Sequence, residues 1–251
     1  MRLIVSKIVF GAALAAGSCL PIAAIATPIS ASMNLTADVQ AGLTTNTDNS
    51  NSNWGTVLDP LSVDTSASIS IVGSNFSITA SGQGNASWGA GGNSGIVQFT
   101  NYGWDIALAQ SGVSTGAALT DHTGGPDWTY TFMADTNGTF AMNYDVIGSG
   151  DLFGLQGWNI AWTGSGGGLN LADAFDPAAN GIFSRSLVAG QTYTIALNNG
   201  ANISSPGAID AVGSMNGTFE WNIQQSVPEP GTLALIGLGL LGLVASRRRE
   251  V

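Results

Sequence analysis

The chain has 251 residues, 35 of them glycine, with 6 Lys+Arg against 16 Asp+Glu, a net charge of −10 and 9% charged residues. Between Thr27 and Ser226 the cation is Arg185, set against acids that are all aspartate except Glu220. That balance argues against a nucleic-acid partner, whose phosphates demand Lys and Arg, and against anionic membrane surfaces or polymers; it leaves neutral polysaccharide and calcium open.

At the N-terminus, Arg2 and Lys7 precede an apolar run from Ile8 to Ala26 that ends in Ala24-Ile25-Ala26. This is the n-region, h-region and small-x-small site of a signal peptide handled by the Sec translocon, with cleavage expected after Ala26. A second cut is open after Ala31 or Ser32. Cys19 falls within the apolar run without the Leu expected of a lipoprotein site. Cleavage after Ala26 leaves a mature chain with no cysteine, hence no disulfide.

The exported part, residues 27–226, is rich in Gly, Ser, Thr and Asn and poor in Glu, Lys, Arg and Gln, a bias toward strands and turns. Its seven tryptophans separate it from a disordered linker. A first strand is expected near Met33–Ala37, followed by a polar loop through Asn53. From Thr65 the pattern has period two: Ala67, Ile69 and Ile71 alternate with serines, and Phe76, Ile78 and Ala80 follow after a Gly73-Ser74-Asn75 turn. Residues 82–95 read as a Gly/Asn-rich loop holding Trp88, and Ile96–Thr100 and Trp104–Leu108 as short strands. Further strands are expected at Trp128–Met133, Thr139–Val146, Leu155–Trp162, Ile182–Leu187, Gln191–Leu197 and Met215–Ile223. Asn137-Gly138 reads as a hairpin turn, and Ala189-Gly190 as another turn. About ten short strands with one apolar face each predict an all-β fold, an antiparallel β-sandwich in a single ectodomain over residues 27–226.

Catalytic patterns are thin. Gly112-Val113-Ser114-Thr115-Gly116 spells a nucleophile elbow but lacks the strand-turn-helix context it requires, and His122, the single histidine, follows it too closely. Gly92-Asn93-Ser94-Gly95 resembles a serine-protease nucleophile loop, but His122 comes after it in the chain, the wrong order. Glu220 alternates against Phe219 and Trp221 and so faces solvent, without the carboxylate pair that glycoside hydrolysis needs. One His and no Cys cannot build a transition-metal site. No enzymatic activity and no obligatory cofactor are expected; a secreted hydrolase is the weakest alternative. A structural calcium ion is conceivable on oxygen ligands in the Asp135-Thr136-Asn137-Gly138 turn, with Asp135 and Asn137 as its candidate ligands, or in Asp48–Asn53, although turn Asp and Asn also serve the backbone. Among Trp88, Trp104, Trp128, Trp158 and Trp162, Trp88 is the candidate for stacking on a sugar, while Trp158 and Trp162 share a face with Ile160 and belong to a core.

The C-terminus is the most specific stretch. Val227-Pro228-Glu229-Pro230-Gly231 leads into an uncharged run from Leu233 to Ala245, and Arg247-Arg248-Arg249 follows. Residues Thr232–Ser246 would span roughly 22 Å as a helix, about 231–246 with its flanks, short for a bilayer core of ~30 Å. The arginines act as a stop-transfer signal and place the preceding chain outside the cytoplasm. Pro228 and Pro230 keep the tripeptide around Glu229 from joining the helix. This order of features resembles the PEP-CTERM sorting signal. The resemblance covers residues 227–251 and implies a protein exported to the cell surface or beyond, transiently held in the inner membrane. Its partner would be an exosortase, a membrane transpeptidase of exopolysaccharide-producing bacteria, recognising Pro228, Glu229 and Pro230. The segment Leu187–Ile195 and the aromatic strand before the tail look like the end of PEP-CTERM ectodomains of jelly-roll type, and the resemblance implies a role in exopolysaccharide or biofilm. A carbohydrate-binding module for exopolysaccharide is the alternative.

Overall fold

The computed structural model describes residues 25–70, 76–107, 115–120, 126–150, 157–172, 178–205 and 210–226. Within them lie thirteen strands: β1 (Ala26–Ala41), β2 (Thr44–Asn53), β3 (Leu61–Ser70), β4 (Ser77–Trp88), β5 (Ser94–Ala107), β6 (Thr115–Thr120), β7 (Trp128–Ala134), β8 (Gly138–Gly150), β9 (Gly157–Trp162), β10 (Leu169–Ala172), β11 (Ala178–Leu187), β12 (Thr192–Ser205) and β13 (Ala211–Gln225). One 3-10 turn, Ala90–Gly92, joins β4 to β5. The strands form two antiparallel sheets, one ordered β10-β9-β12-β6-β1-β2 with β7 also between β1 and β12, the other β11-β8-β13-β5-β4-β3. The all-β class and the two-sheet arrangement expected from the alternating pattern are present. From β5 onward the chain crosses repeatedly between the sheets, with β6 and β7, and again β9 and β10, staying together in the first, whereas β3, β4 and β5 form a meander within the second.

The period-two faces point inward where expected. Leu61, Val63, Thr65, Ala67 and Ile69 are buried along β3 and their neighbours exposed. Phe140, Met142 and Val146 on β8, Trp158, Ile160 and Trp162 on β9, Tyr193, Ile195 and Leu197 on β12, and Phe219, Trp221 and Ile223 on β13 fill the space between the sheets. Tyr130 of β7 is the hub of an aromatic layer, with ring centroids 5.4 Å from Phe132, 5.8 Å from Trp221, 5.9 Å from Trp54 and 6.1 Å from Trp88. Its hydroxyl donates to the Gly92 carbonyl at 2.8 Å; burial pushes that phenol well above its ordinary pKa. The Trp221 ring lies against Gly95, where a Cβ would run into it.

One strand position is shared by two strands. The first half of β1 pairs with β7 and its second half with β6, and β12 does the same from the other side. At the junction Asp127, buried, bridges the two neighbours: its carbonyl accepts from Asn34 N at 3.0 Å and its carboxylate from the Asn199 amide. The junction thus keeps backbone groups of β1 and β12 bonded where the ladder would lapse.

Both open flanks are stitched by side chains. Along one, β2 bonds the free edge of β3: Asp48 Oδ2 accepts from Ser66 N at 2.8 Å, Asn46 Nδ2 donates to Ser68 O at 2.9 Å, and Ser50 Oγ accepts from Asp64 N at 3.3 Å. Along the other, Arg185 of β11 donates to Gly166 O at 3.0 Å and Gly167 O at 2.7 and 2.9 Å, in the turn between β9 and β10, with its guanidinium 4.2 Å from the Phe183 ring centroid.

The structure corrects several local expectations. The polar stretch through Asn53 is largely strand: Thr44–Asn53 pairs with β1 over ten residue pairs. Its side chains are hydrophilic on both faces because they bond to an edge rather than enter the core, which hides the strand from a hydrophobicity pattern. Residues 82–88 continue β4 instead of looping, since Gly82 and Gly84 occupy buried, inward positions, Gly84 against Met33, Val63 and Phe99. The two short strands at 96–108 are one strand, β5, through Ala107, kinked at Asn101 with φ 52° where the register shifts against β4 and β13. Asn137-Gly138 is not a hairpin turn: β7 and β8 lie in different sheets, and neither residue takes the positive φ that a type I′ turn requires. Strands β6 and β10 carried too few large apolar residues to be expected. The Gly73-Ser74-Asn75 turn lies outside the described residues.

Two substitutions test this framework. Arg185→Ala should lower the unfolding free energy by about 1–2 kcal/mol, with Lys restoring little because it lacks the planar fork; urea denaturation reads this out. Asp127→Ala should cost about 2–3 kcal/mol, by stranding a buried amide at Asn199, in the same assay.

Candidate functional site

The strongest functional signal sits where the domain ends. Strand β13 pairs on both sides, and its last rung is Gln225 opposite Gly138. One residue later Ser226 N donates to Asn137 O at 2.9 Å. The Asn137 side chain accepts from Ala189 N at 2.9 Å, so this residue ties the start of the tail to the turn between β11 and β12, where Gly190 has φ 78° as its place in a tight turn demands. Pro228, Glu229 and Pro230, and Arg247, Arg248 and Arg249, lie outside the described residues.

The cleavage position expected from the N-terminal sequence reaches the same neighbourhood. Ala24 is outside the described residues, whereas Ala26 is fully buried at the start of β1, opposite Ala134. Its amide donates to Asn93 Oδ1 at 3.0 Å, and the Ile25 carbonyl accepts from Asp135 N at 3.0 Å. The Ala26–Thr27 bond is therefore part of a paired strand. The cut considered after Ala31 or Ser32 would remove the half of β1 that pairs with β7.

Asp135 and Asn137, the candidate calcium ligands, are each engaged in the fold. Asp135 accepts from the Thr27 hydroxyl through both carboxylate oxygens, at 3.0 and 2.9 Å, and Asn137 Oδ1 caps Ala189. Among the described residues no group of three or more His, Cys, Asp or Glu could hold a metal ion. In the Asp48–Asn53 stretch, Asp48 bonds β3 and Asn49 Oδ1 accepts from the Thr36 hydroxyl at 2.6 Å.

Trp88 ends β4 half-buried rather than standing in a loop. Its ring packs edge-on against Trp54 at 4.8 Å and Trp221 at 6.0 Å. Trp104, Trp128, Trp158 and Trp162 are core residues. Trp54, unmarked in the sequence apart from following a polar run, is the aromatic residue that reaches a groove. An open cavity of about 390 Å³ is lined by Ile29, Ser30, Ala31 and Ser32 on one side and Asn53, Trp54, Gly55 and Val57 on the other, and Ile29 and Val57 are exposed at its rim. Its lining offers an aromatic ring, small apolar surface and uncharged hydroxyl and amide groups.

Of the weaker patterns, Thr115 and Gly116 belong to β6, while Gly112–Ser114 and His122 lie outside the described residues. In the second serine pattern, Gly92 closes the 3-10 turn and Ser94 opens β5. Glu220 is exposed on β13, as its alternation against Phe219 and Trp221 requires.

The last strand of the two-sheet domain ends at Gln225, and the Pro-Glu-Pro tail follows it in the sequence. Comparison with known proteins bears directly on that tail: residues 226–249 match the PEP-CTERM protein-sorting motif. The chain carries a PEP-CTERM sorting signal, the mark of an exported protein that is processed through exosortase. No curated protein matches the chain. Among solved structures, that titled "Structure of infectious bursal disease virus Gt strain" aligns with 89% of this chain and 74% of its own at 10% identity, with a TM-score of 0.11, a likeness too slight to carry any argument. Among the described residues no helix is long and apolar enough to cross a membrane.

The packing of Trp88 gives a direct test. Trp88→Ala should lower stability by about 2 kcal/mol, less than a fully buried tryptophan, because the ring closes the aromatic layer. A residue acting purely as a sugar platform would leave the thermal midpoint unchanged.

Proposed function

We propose that this is a non-enzymatic cell-surface or extracellular-matrix protein, delivered through its signal peptide and C-terminal sorting signal and functioning in the exopolysaccharide or biofilm layer. The observation that carries the reading is the match of residues 226–249 to the sorting motif, placed immediately after the last rung of β13. An exosortase acting at Pro228-Glu229-Pro230 separates the apolar segment and its arginines from the β-sandwich and leaves the domain free or joined to a new anchor. The acidic surface suits a neutral polymer environment and opposes adsorption on anionic ones.

A second reading, a carbohydrate-binding module, is favoured by the groove beside Trp54. Aromatic rings bury the apolar faces of sugars, and hydroxyl and amide groups such as those of Ser30 and Asn53 suit sugar hydroxyls. In this reading Trp88 supports Trp54 from behind.

Mass spectrometry of both termini, in cell and medium fractions of the native host, tests the principal reading. The expected mature chain begins at Thr27 and ends near Pro228–Pro230. An intact Val251 in the membrane fraction would overturn sorting and leave a plain anchor.

A further inference from the structure

Both chain segments that address the membrane depart from the same end of the sandwich. The Ile25 carbonyl is bonded to Asp135 N, and Ser226 N to the carbonyl of Asn137, two residues further along the same connection between β7 and β8. The β11–β12 turn completes this end: Gly190 N donates to Ala134 O at 2.7 Å, Ala134 N to Gln191 O at 2.9 Å, and Ala189 N to Asn137 Oδ1 at 2.9 Å. The opposite end is far away. Strand β1 runs 16 residues from Ala26 before the Gly42-Leu43 turn, about 50 Å at ~3.3 Å per residue.

The chain lengths are short on the near side. Ile25 belongs to the apolar run that begins at Ile8, so no spacer separates that run from the fold. Between Ser226 and Leu233 lie six residues, Val227–Thr232, which span at most about 20 Å when extended. Two short tethers at one end fix an orientation that a single tether would leave free.

We propose that the end of the sandwich formed by Asp135–Asn137 and Val188–Gly190 is the membrane-facing pole of the precursor, held against the bilayer by the chain's own two apolar segments. Val188, 55% exposed, lies at this pole, and Leu43, fully exposed, at the far one. The pole's geometry also defines how the sorting enzyme must approach. Pro228 is two residues beyond the last bonded amide of the domain, so an exosortase works in the narrow space between this pole and the membrane. This rests on the reading of residues 226–249 as a membrane-directed sorting segment.

The full-length precursor, with Cys19→Ser, would carry an environment-sensitive fluorophore at Val188→Cys or at Leu43→Cys and be reconstituted into phosphatidylcholine vesicles containing a headgroup spin-labelled lipid. Both positions are exposed, so neither substitution disturbs the core. The probe at 188 should be quenched several-fold more than the probe at 43. If the precursor inserts but the two probes are quenched equally, or the probe at 43 more, this inference fails and the sorting reading survives. A precursor that never partitions into vesicles overturns both.

Discussion

The aromatic layer between β7 and β13 is the interaction on which the rest of this protein depends. Residues 27–226 contain no cysteine and a single arginine, and that arginine is bonded to carbonyl oxygens. Neither a disulfide nor that cation therefore joins one sheet's core face to the other, and hydrophobic burial must do so. Trp128 and Tyr130 from one sheet meet Trp221 of the other at 5.2 and 5.8 Å, and Phe132 meets Phe140 at 6.0 Å. Side chains of this size bury some 150–250 Å² each, several kcal/mol apiece at about 25 cal/mol per Å². The glycines facing the rings follow from the same constraint, since a ring of this size needs an opposing position without a side chain, as at Gly95.

The polar residues solve a second problem, that of edges. A sandwich exposes unpaired backbone at its flanks, a template for unwanted pairing. Here β2 presents Asn46, Asp48 and Ser50 to the β3 edge, and Arg185 covers the carbonyls of the β9–β10 turn. The Asn/Ser/Thr/Asp richness that suggested loops is in part the means by which the flanks are closed. For an exported protein, an acidic exterior disfavours self-association, because like charges repel.

The sorting tail follows directly on the folded domain. The sorting signal is a short linear motif contained in residues 226–249. What the fold adds is an abrupt boundary: pairing continues to Gln225, a last backbone bond forms at Ser226, and the motif starts two residues later. Asn137 sets that boundary by bonding the tail with its carbonyl and the adjacent turn with its side chain. The groove near Trp54 lies at the β1–β2 flank and is chemically independent of the tail.

By itself the sequence determined the all-β class, the inward faces of β3, β8, β9, β12 and β13, and the nature of the C-terminus. These are local properties: alternation of apolar residues is written along each strand, and a sorting motif is contiguous. Tertiary structure alone decided which sheet each strand joins, so that Asn137-Gly138 connects two sheets although its residue types suit a hairpin. It decided that Thr44–Asn53 is a strand, because the partners that satisfy its polar side chains come from β1 and β3. It turned Trp88 from a loop residue into part of the aromatic layer. It also brought Ile25 and Ser226, 201 positions apart, to one connection, because antiparallel pairing over long sequence distances is fixed by packing between sheets and leaves no mark in the order of neighbouring residues.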